Sequence, residues 1–314
     1  MNSNPPHISI VSPVYRAELI VEQLVERIIN AVTDITSNFE IILVEDGGPD
    51  SSWAMIEKIS NKYEFVKGIK LSRNFGQQHA LQAGLEASKG DFIVTMDCDL
   101  QDRPEEIIKL YNKAKMGFDI VVASRTNRQD DFFKRTFSKA FYLVLGYLTE
   151  TIQDSTVANF VLYNRPALNA INNLNDNRRY YPMLLQWVGF NRAKVEILHA
   201  NREVGSSSYN FKGRIKLALD TILTFSDKPL RLSIKFGIFI SMLSVICGIL
   251  LIIIYFFDDV IVEGWTSLAI LVSFFSGSII SILGMVGLYV GRTFDTVKNR
   301  PNYIIHKTTN ITEQ

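Results

Sequence analysis

Asp97 and Asp99 stand one residue apart directly after the apolar run Phe92-Ile93-Val94-Thr95-Met96. A short apolar run bounded by polar residues reads as a buried strand, which puts both acids at its carboxyl end. Ligands of open α/β sheets bind at that edge. Two hard oxygen donors there suit a divalent cation carrying a substrate diphosphate, chemistry that points towards nucleotide sugars. Two acids at this spacing also occur in ordinary loops, so the reading rests on what the other segments add.

Glu45-Asp46-Gly47-Gly48-Pro49-Asp50 follows a second apolar run, Phe39 to Val44. A strand-end carboxylate can accept a hydrogen bond from a base N–H or a ribose hydroxyl, and paired glycines let the backbone turn tightly beside a ligand. The same residues also make a plain turn capping a helix that starts near Ser51. In Leu71-Ser72-Arg73-Asn74-Phe75-Gly76-Gln77-Gln78-His79, Arg73 can meet a diphosphate and Gly76 permits close approach. His79 reads as a surface or packed side chain rather than a catalytic one. No GxGxxG follows the first strand, which removes the main support for dinucleotide binding of the dehydrogenase type.

The elements that must hold these loops alternate. Ile8–Val14, Phe39–Val44, Val66–Leu71, Phe92–Met96 and Asp119–Ala123 are strand-like, and Glu18–Val32, Ser51–Tyr63, Gln77–Ser88 and Pro104–Met116 carry helical periodicity. Such alternation predicts an α/β domain with a mostly parallel sheet covered by helices on both faces.

The carboxyl-terminal third differs in kind. No charged residue occurs from Phe236 to Phe257 or from Trp265 to Gly291, and at about 1.5 Å per residue either run can cross a hydrocarbon core of about 30 Å. Two transmembrane helices are expected. Lys212, Arg214, Lys216, Lys228, Arg231 and Lys235 precede the first and Arg292, Lys298, Arg300 and Lys307 follow the second, whereas the loop between holds Asp258, Asp259 and Glu263. The positive-inside rule then makes both termini cytoplasmic, in the plasma (inner) membrane if the source is bacterial. Met1 to His7 lacks the apolar core of a cleavable signal peptide. Cys98 and Cys247 are the only cysteines, so no disulfide framework is expected. A net charge of +1 argues against a nucleic-acid partner.

Between Arg125 and Tyr147, basic residues (Arg125, Arg128, Lys134, Arg135, Lys139) interleave with aromatics (Phe132, Phe133, Phe137, Phe141, Tyr142). Such a helix can lie in a headgroup plane with its cations on phosphates, or be a solvated basic face over a packed core. On the second apolar run Ser273, Gly277 and Ser281 recur every four residues, followed by Gly284, Gly287 and Gly291. Small residues let helices approach closely in lipid, either in a homo-oligomer or against the first span.

Taken in order, the chain resembles glycosyltransferase family 2, in particular the polyisoprenyl-phosphate glycosyltransferases related to dolichyl-phosphate mannose synthase. The resemblance covers Ile8 to about Arg292 and rests on Val11-Ser12-Pro13-Val14-Tyr15, Val44-Glu45-Asp46-Gly47, Arg73-Asn74-Phe75-Gly76, Asp97 to Gln101 with Pro104-Glu105, Ala123-Ser124-Arg125, and Arg202-Glu203-Val204-Gly205-Ser206-Ser207-Ser208-Tyr209. It implies a GT-A catalytic domain over 1–212, a basic juxtamembrane segment over 213–235, a two-helix hairpin over 236–291 and a cytosolic tail over 292–314. It further implies that Pro13, Tyr15, Glu45, Asp46, Arg73, Asp97, Arg202 and Ser206 face a nucleoside-diphosphate sugar, with Asp46 on the base. Asp97, Asp99 and Gln101 would hold Mg²⁺ or Mn²⁺. Asp102 either joins them or caps the helix entered through Pro104.

Two departures bear on the chemistry. Glu45 replaces a usual aspartate, and Ala158-Asn159-Phe160-Val161-Leu162 stands where many members show Gly-Asp-Phe-Arg-Leu. A polyprenyl phosphate acceptor is already anionic and needs no side-chain base. A sugar hydroxyl does need one, for which Asp154 is the candidate. Arg125 and Arg135 are candidates for the acceptor phosphate. The expected activity is metal-dependent, inverting transfer of one sugar to polyprenyl phosphate at the cytoplasmic face. Rival readings are extension of a lipid-diphosphate-linked glycan and a catalytically silent scaffold or translocation partner. A processive synthase is disfavoured, because Gln186-Trp187 lacks the arginine of that group's Gln-x-x-Arg-Trp signature.

Overall fold

The computed structural model describes residues 6–125, 157–174, 179–197, 226, 228–257, 264–298 and 300–311. Strands β1 (Ile8–Val14), β2 (Phe39–Glu45), β3 (Val66–Leu71), β4 (Phe92–Thr95), β5 (Ile120–Arg125), β6 (Val157–Asn164), β7 (Arg192–Ile197) and β8 (Ile305–Thr309) form one sheet in the order β7-β5-β6-β4-β1-β2-β3-β8. The central run β4-β1-β2-β3 is parallel, as is β5 with β7, while β6 and β8 pair antiparallel to their neighbours.

Helices cover both faces. On one, α1 (Val21–Thr33), α2 (Ser52–Lys62) and α4 (Ile107–Ala114) bury Leu24, Ile28, Trp53, Ile56 and Leu110 against Ile8, Ile10, Leu43, Val94 and Phe160. On the other lie α3 (Gln77–Ala87) and α5 (Arg165–Asn172), whose Ala80, Ala83, Ala167 and Leu168 are buried. A short helix, α6 (Tyr181–Trp187), precedes β7. Every residue of β1 is buried, the expected state of a parallel strand covered on both faces, and it explains why its sequence is a near-continuous apolar run.

These elements match the strands and helices expected up to residue 125 within a few residues. Helix formation after Pro104 begins with a 3-10 turn over Pro104–Glu106, whose N-cap is Arg103 and not Asp102. Asp102 is instead fully buried. The residues expected to be a tail contribute more than a tail, since Ile305–Thr309 is the edge strand beside β3.

A second unit holds α7 (Lys228–Phe257) and α8 (Trp265–Val297). Ser233 Oγ of α7 lies 3.3 Å from Met285 Sδ of α8, and Tyr289 donates to the carbonyl of Ser226 at 2.8 Å. Within α8, Phe274–Val297 is long and apolar enough to cross a membrane, and Ile279, Ile280 and Leu283 face outward. Large apolar side chains of α7, among them Phe239, Met242 and Ile249, are exposed as well.

Candidate active site

Strands β1 and β4 are neighbours whose connections leave in opposite directions across the sheet, β1 towards β2 and β3, β4 towards β6 and β5. A crevice opens outside the carboxyl ends of the strands at such a switch point. Met96 N–H bonds the Val11 carbonyl at 3.1 Å, and the chain then presents Asp97, Cys98 and Asp99 at that crevice. Asp97 is gripped from two sides: Oδ1 accepts from Gln77 Nε2 at 2.6 Å, and Oδ2 from Asn159 Nδ2 at 3.4 Å. Asp99 Oδ1 accepts from the Gln101 N–H at 3.2 Å, closing a turn over Leu100, which takes a left-handed φ of 59°. Between them, burial pushes the Cys98 thiol up to about 12, and the two flanking carboxylates add to the shift. Burial thus works against the thiolate at this position.

Asp46 directly follows β2 and faces the loop that leads into α3. It is 3% exposed, and its two oxygens accept from Phe75 N–H at 2.7 Å and Gly76 N–H at 2.9 Å. Burial raises its carboxyl above 3.8, and the two amides work against that rise. The aspartate therefore fastens the loop between β3 and α3. Gly47 makes the approach possible: with φ +61°, a Cβ there would lie 2.3 Å from the Arg73 carbonyl carbon and 2.4 Å from the Asn74 nitrogen. Arg73 itself is exposed, its guanidinium 3.9 Å from the centre of the Phe75 ring and bonded to the Asn74 carbonyl at 3.0 Å. Glu45, on the opposite face, accepts from Gly48 N–H through Oε1 and is 1% exposed. Burial raises its carboxyl above 4.5, and its Oε2 has no hydrogen-bond partner among the described residues. At the end of β1, Pro13 is buried while Tyr15 is 42% exposed beside Arg16, whose φ is 52°.

Pro13, Tyr15, Glu45, Asp46, Arg73, Asp97, Asp99 and Gln101 thus lie at the carboxyl ends of four adjacent parallel strands or in the loops that follow. The backbone of Arg125 closes β5 at the same edge of the sheet. Asp154, Arg135, Arg202 and Ser206 lie outside the described residues, as do most of the basic-aromatic segment and the Gly205–Ser208 loop. Among the described residues no three His, Cys, Asp or Glu side chains converge as a metal cage. Mg²⁺ and Mn²⁺ do not require one, because one or two carboxylates suffice when substrate phosphates complete the shell. Asp97, Asp99 and Gln101 offer oxygen donors of the type such an ion takes. Sequence reasoning gave Gln77 no site role and saw Asn159 only as a lost acid; Gln77 opens α3, and Asn159 lies near the start of β6, the strand paired with β4.

The profile of glycosyl transferase family 2 matches residues 9–173, which contain the loops that follow β1, β2, β3 and β4. The uncharacterized glycosyltransferase YkcC of Bacillus subtilis (strain 168) is 36% identical over 304 residues, 96% of this chain and 94% of that protein. The chain belongs to glycosyl transferase family 2. This glycosyltransferase is also 33% identical over 307 residues, 97% of its own length and 94% of the relative's, to the undecaprenyl-phosphate 4-deoxy-4-formamido-L-arabinose transferase of Proteus mirabilis (strain HI4320). Its GT-A-like fold resembles glucosyl-3-phosphoglycerate synthase from Mycobacterium tuberculosis, solved with Mn²⁺, UDP-glucose and phosphoglyceric acid. There the TM-score is 0.49 at 16% identity, over 70% of this chain and 78% of that one.

Proposed function

We propose that this glycosyltransferase moves one sugar from a nucleoside-diphosphate sugar to polyprenyl phosphate, with inversion, at the cytoplasmic face of a membrane. The observation that carries this reading is the pair Asp97 and Asp99 at the β1/β4 switch point, with Asp97 held in place by two amides. A relative named for undecaprenyl phosphate that aligns over nearly the whole chain supports the acceptor class.

In this reading Asp97, Asp99 and Gln101 hold Mg²⁺ or Mn²⁺, which supplies charge neutralisation for the diphosphate. Asp46 sets the position of the Arg73 loop, and Arg73 meets the diphosphate. Pro13, Tyr15, Glu45, Arg202 and Ser206 complete the donor side. The acceptor phosphate oxygen attacks the anomeric carbon, the bond to the diphosphate oxygen breaks, and the nucleoside diphosphate departs with the electron pair. The acceptor oxygen carries no proton, so no general base is needed and the neutral amide of Asn159 is compatible with turnover. Arg125 and Arg135 hold the acceptor phosphate. Asp154 becomes the base only for a hydroxyl acceptor.

Residues 301–311 go with the catalytic unit rather than forming a tail, α7 and α8 make a membrane hairpin with both termini cytoplasmic, and small residues of α8 are available for homo-oligomer contacts. The test is to incubate the purified protein with a panel of nucleotide sugars and polyprenyl phosphate, with mass analysis of the lipid. A mass gain of one sugar supports the reading; turnover of donor onto a lipid-linked glycan but not onto the monophosphate overturns the acceptor class.

A further inference from the structure

The loop between β3 and α3 is held by Asp46 at its centre, and both of its flanks are held by residues more than 200 positions further along the chain. On the β3 side, Ser72 N–H bonds the Ile304 carbonyl at 2.9 Å, immediately before Arg73. The pairing of β8 with β3 has a register irregularity between Lys70 and Leu71, so the bend falls where the loop begins. On the α3 side, Asn302 Nδ2 donates to Gln82 Oε1 at 3.1 Å, and Tyr303 Oη donates to Glu86 Oε2 at 2.6 Å. Gln82 Nε2 reaches the other oxygen of Glu86 at 2.7 Å, so one carboxylate ties a helix turn to the carboxyl-terminal segment.

The far end is anchored independently. Asn310, with a left-handed φ of 56°, donates its side-chain amide to the carbonyls of Ser60 at 2.7 Å and Val66 at 2.9 Å, and Lys307 pairs with Glu57 at 2.5 Å. Gly68 opposes Thr309 in the ladder, and a Cβ on Gly68 would lie 2.7 Å from the Thr309 methyl and 2.6 Å from Ile56. The sheet edge is thus shaped to receive this strand.

We propose that residues 301–311 are a strap that positions the donor-side loop Ser72–Gly76, with Asn302 and Tyr303 as positioning residues. The inference rests on the donor-binding reading of Arg73 and goes beyond it, because it makes donor affinity depend on a segment more than 200 positions further along the chain. The strap holds β3 and α3 at a fixed separation, and the loop between them keeps the conformation in which Asp46 can take the Phe75 and Gly76 amides together. Without Tyr303, Glu86 keeps among the described residues its Gln82 bond and the Arg179 guanidinium at 3.9 Å.

The test uses the full chain in detergent, comparing the parent with Tyr303→Phe, Asn302→Ala/Tyr303→Ala, and Lys307→Ala as a control on the far anchor. Hydrogen exchange over residues 72–80 is expected to rise about fivefold in the double variant, with β1 and β2 unchanged and Tyr303→Phe intermediate. The donor KM is expected to rise by about the same factor while kcat stays within about twofold. Unchanged exchange over 72–80 while 305–309 loosens overturns the strap, and so does a uniform rise across all peptides. Should the parent transfer no sugar, the exchange result still decides the strap, and only the donor reading falls.

Discussion

Asn159 donates its side-chain amide to Asp97, Nδ2 to Oδ2 at 3.4 Å, across the antiparallel pair β4 and β6. The position that carries an acid in the family resemblance therefore still addresses the first aspartate of the pair, with a neutral donor in place of a second negative charge. Asn159→Asp adds that charge beside Asp97. Ligand charge tunes affinity for hard cations, so the Mn²⁺ concentration giving half-maximal transfer is expected to fall about fivefold. A metal titration of transfer at saturating donor checks this, and an unchanged midpoint would place Asn159 outside the cation's reach.

Asp99→Ala removes one of the two carboxylates and one turn-closing hydrogen bond. Transfer is expected to drop by about a hundredfold or more, with the melting temperature close to that of the parent because Asp99 is half-buried in a loop and outside the apolar core. Transfer near the parental rate in the purified variant, or full parental activity in excess chelator, excludes a metal role.

Gly47→Ala places a methyl 2.3 Å from backbone at a φ of +61°. Neither the Arg73 nor the Asn74 main chain can yield without releasing Asp46 from the loop. The expected cost is about 2–4 kcal/mol in unfolding free energy, with donor KM raised in any protein that survives. Urea denaturation measures the first and a donor titration the second.

Glu45 gives a pH dependence. Burial raises its carboxyl above the ordinary 4.5, so the folded chain binds that proton more tightly than the unfolded chain does. Its stabilising contribution is complete below 4.5 and is lost as the pH rises through the raised value. Glu45→Gln keeps an oxygen for the Gly48 amide and is expected to gain about 1 kcal/mol at about pH 7.5, a gain that vanishes near about pH 4. Thermal melts of both proteins across that range test it; an equal difference at every pH would assign the effect to packing alone.

Much of the site was legible because its loops follow strands with strong apolar runs, and a parallel sheet gathers such loops at one edge. The placement of Asp97, Asp99, Asp46 and Arg73 at that edge follows from the order of strands and loops alone. The mutual arrangement was not legible: that Asp46 is occupied by the Phe75 and Gly76 amides depends on a Gly47 conformation that many Gly-Gly pairs do not adopt. β8 escaped notice for a different reason. Ile305-His306-Lys307-Thr308-Thr309 is short and polar, lies half-exposed on an edge, and owes its strand state to a partner far away in sequence. Local propensity says little about such a strand.

The eighth strand also has a consequence for how the protein is made. β3 leaves the ribosome long before Ile305–Thr309 exist, and at about 5–20 residues per second the interval is on the order of tens of seconds. Throughout it, β3 presents an unpaired row of N–H and C=O groups, the kind of edge on which nascent chains join one another. Lys67 and Lys70 sit on that strand, and charged side chains at an open edge disfavour such joining. The nascent chain thus carries its own guard against aggregation until β8 is translated.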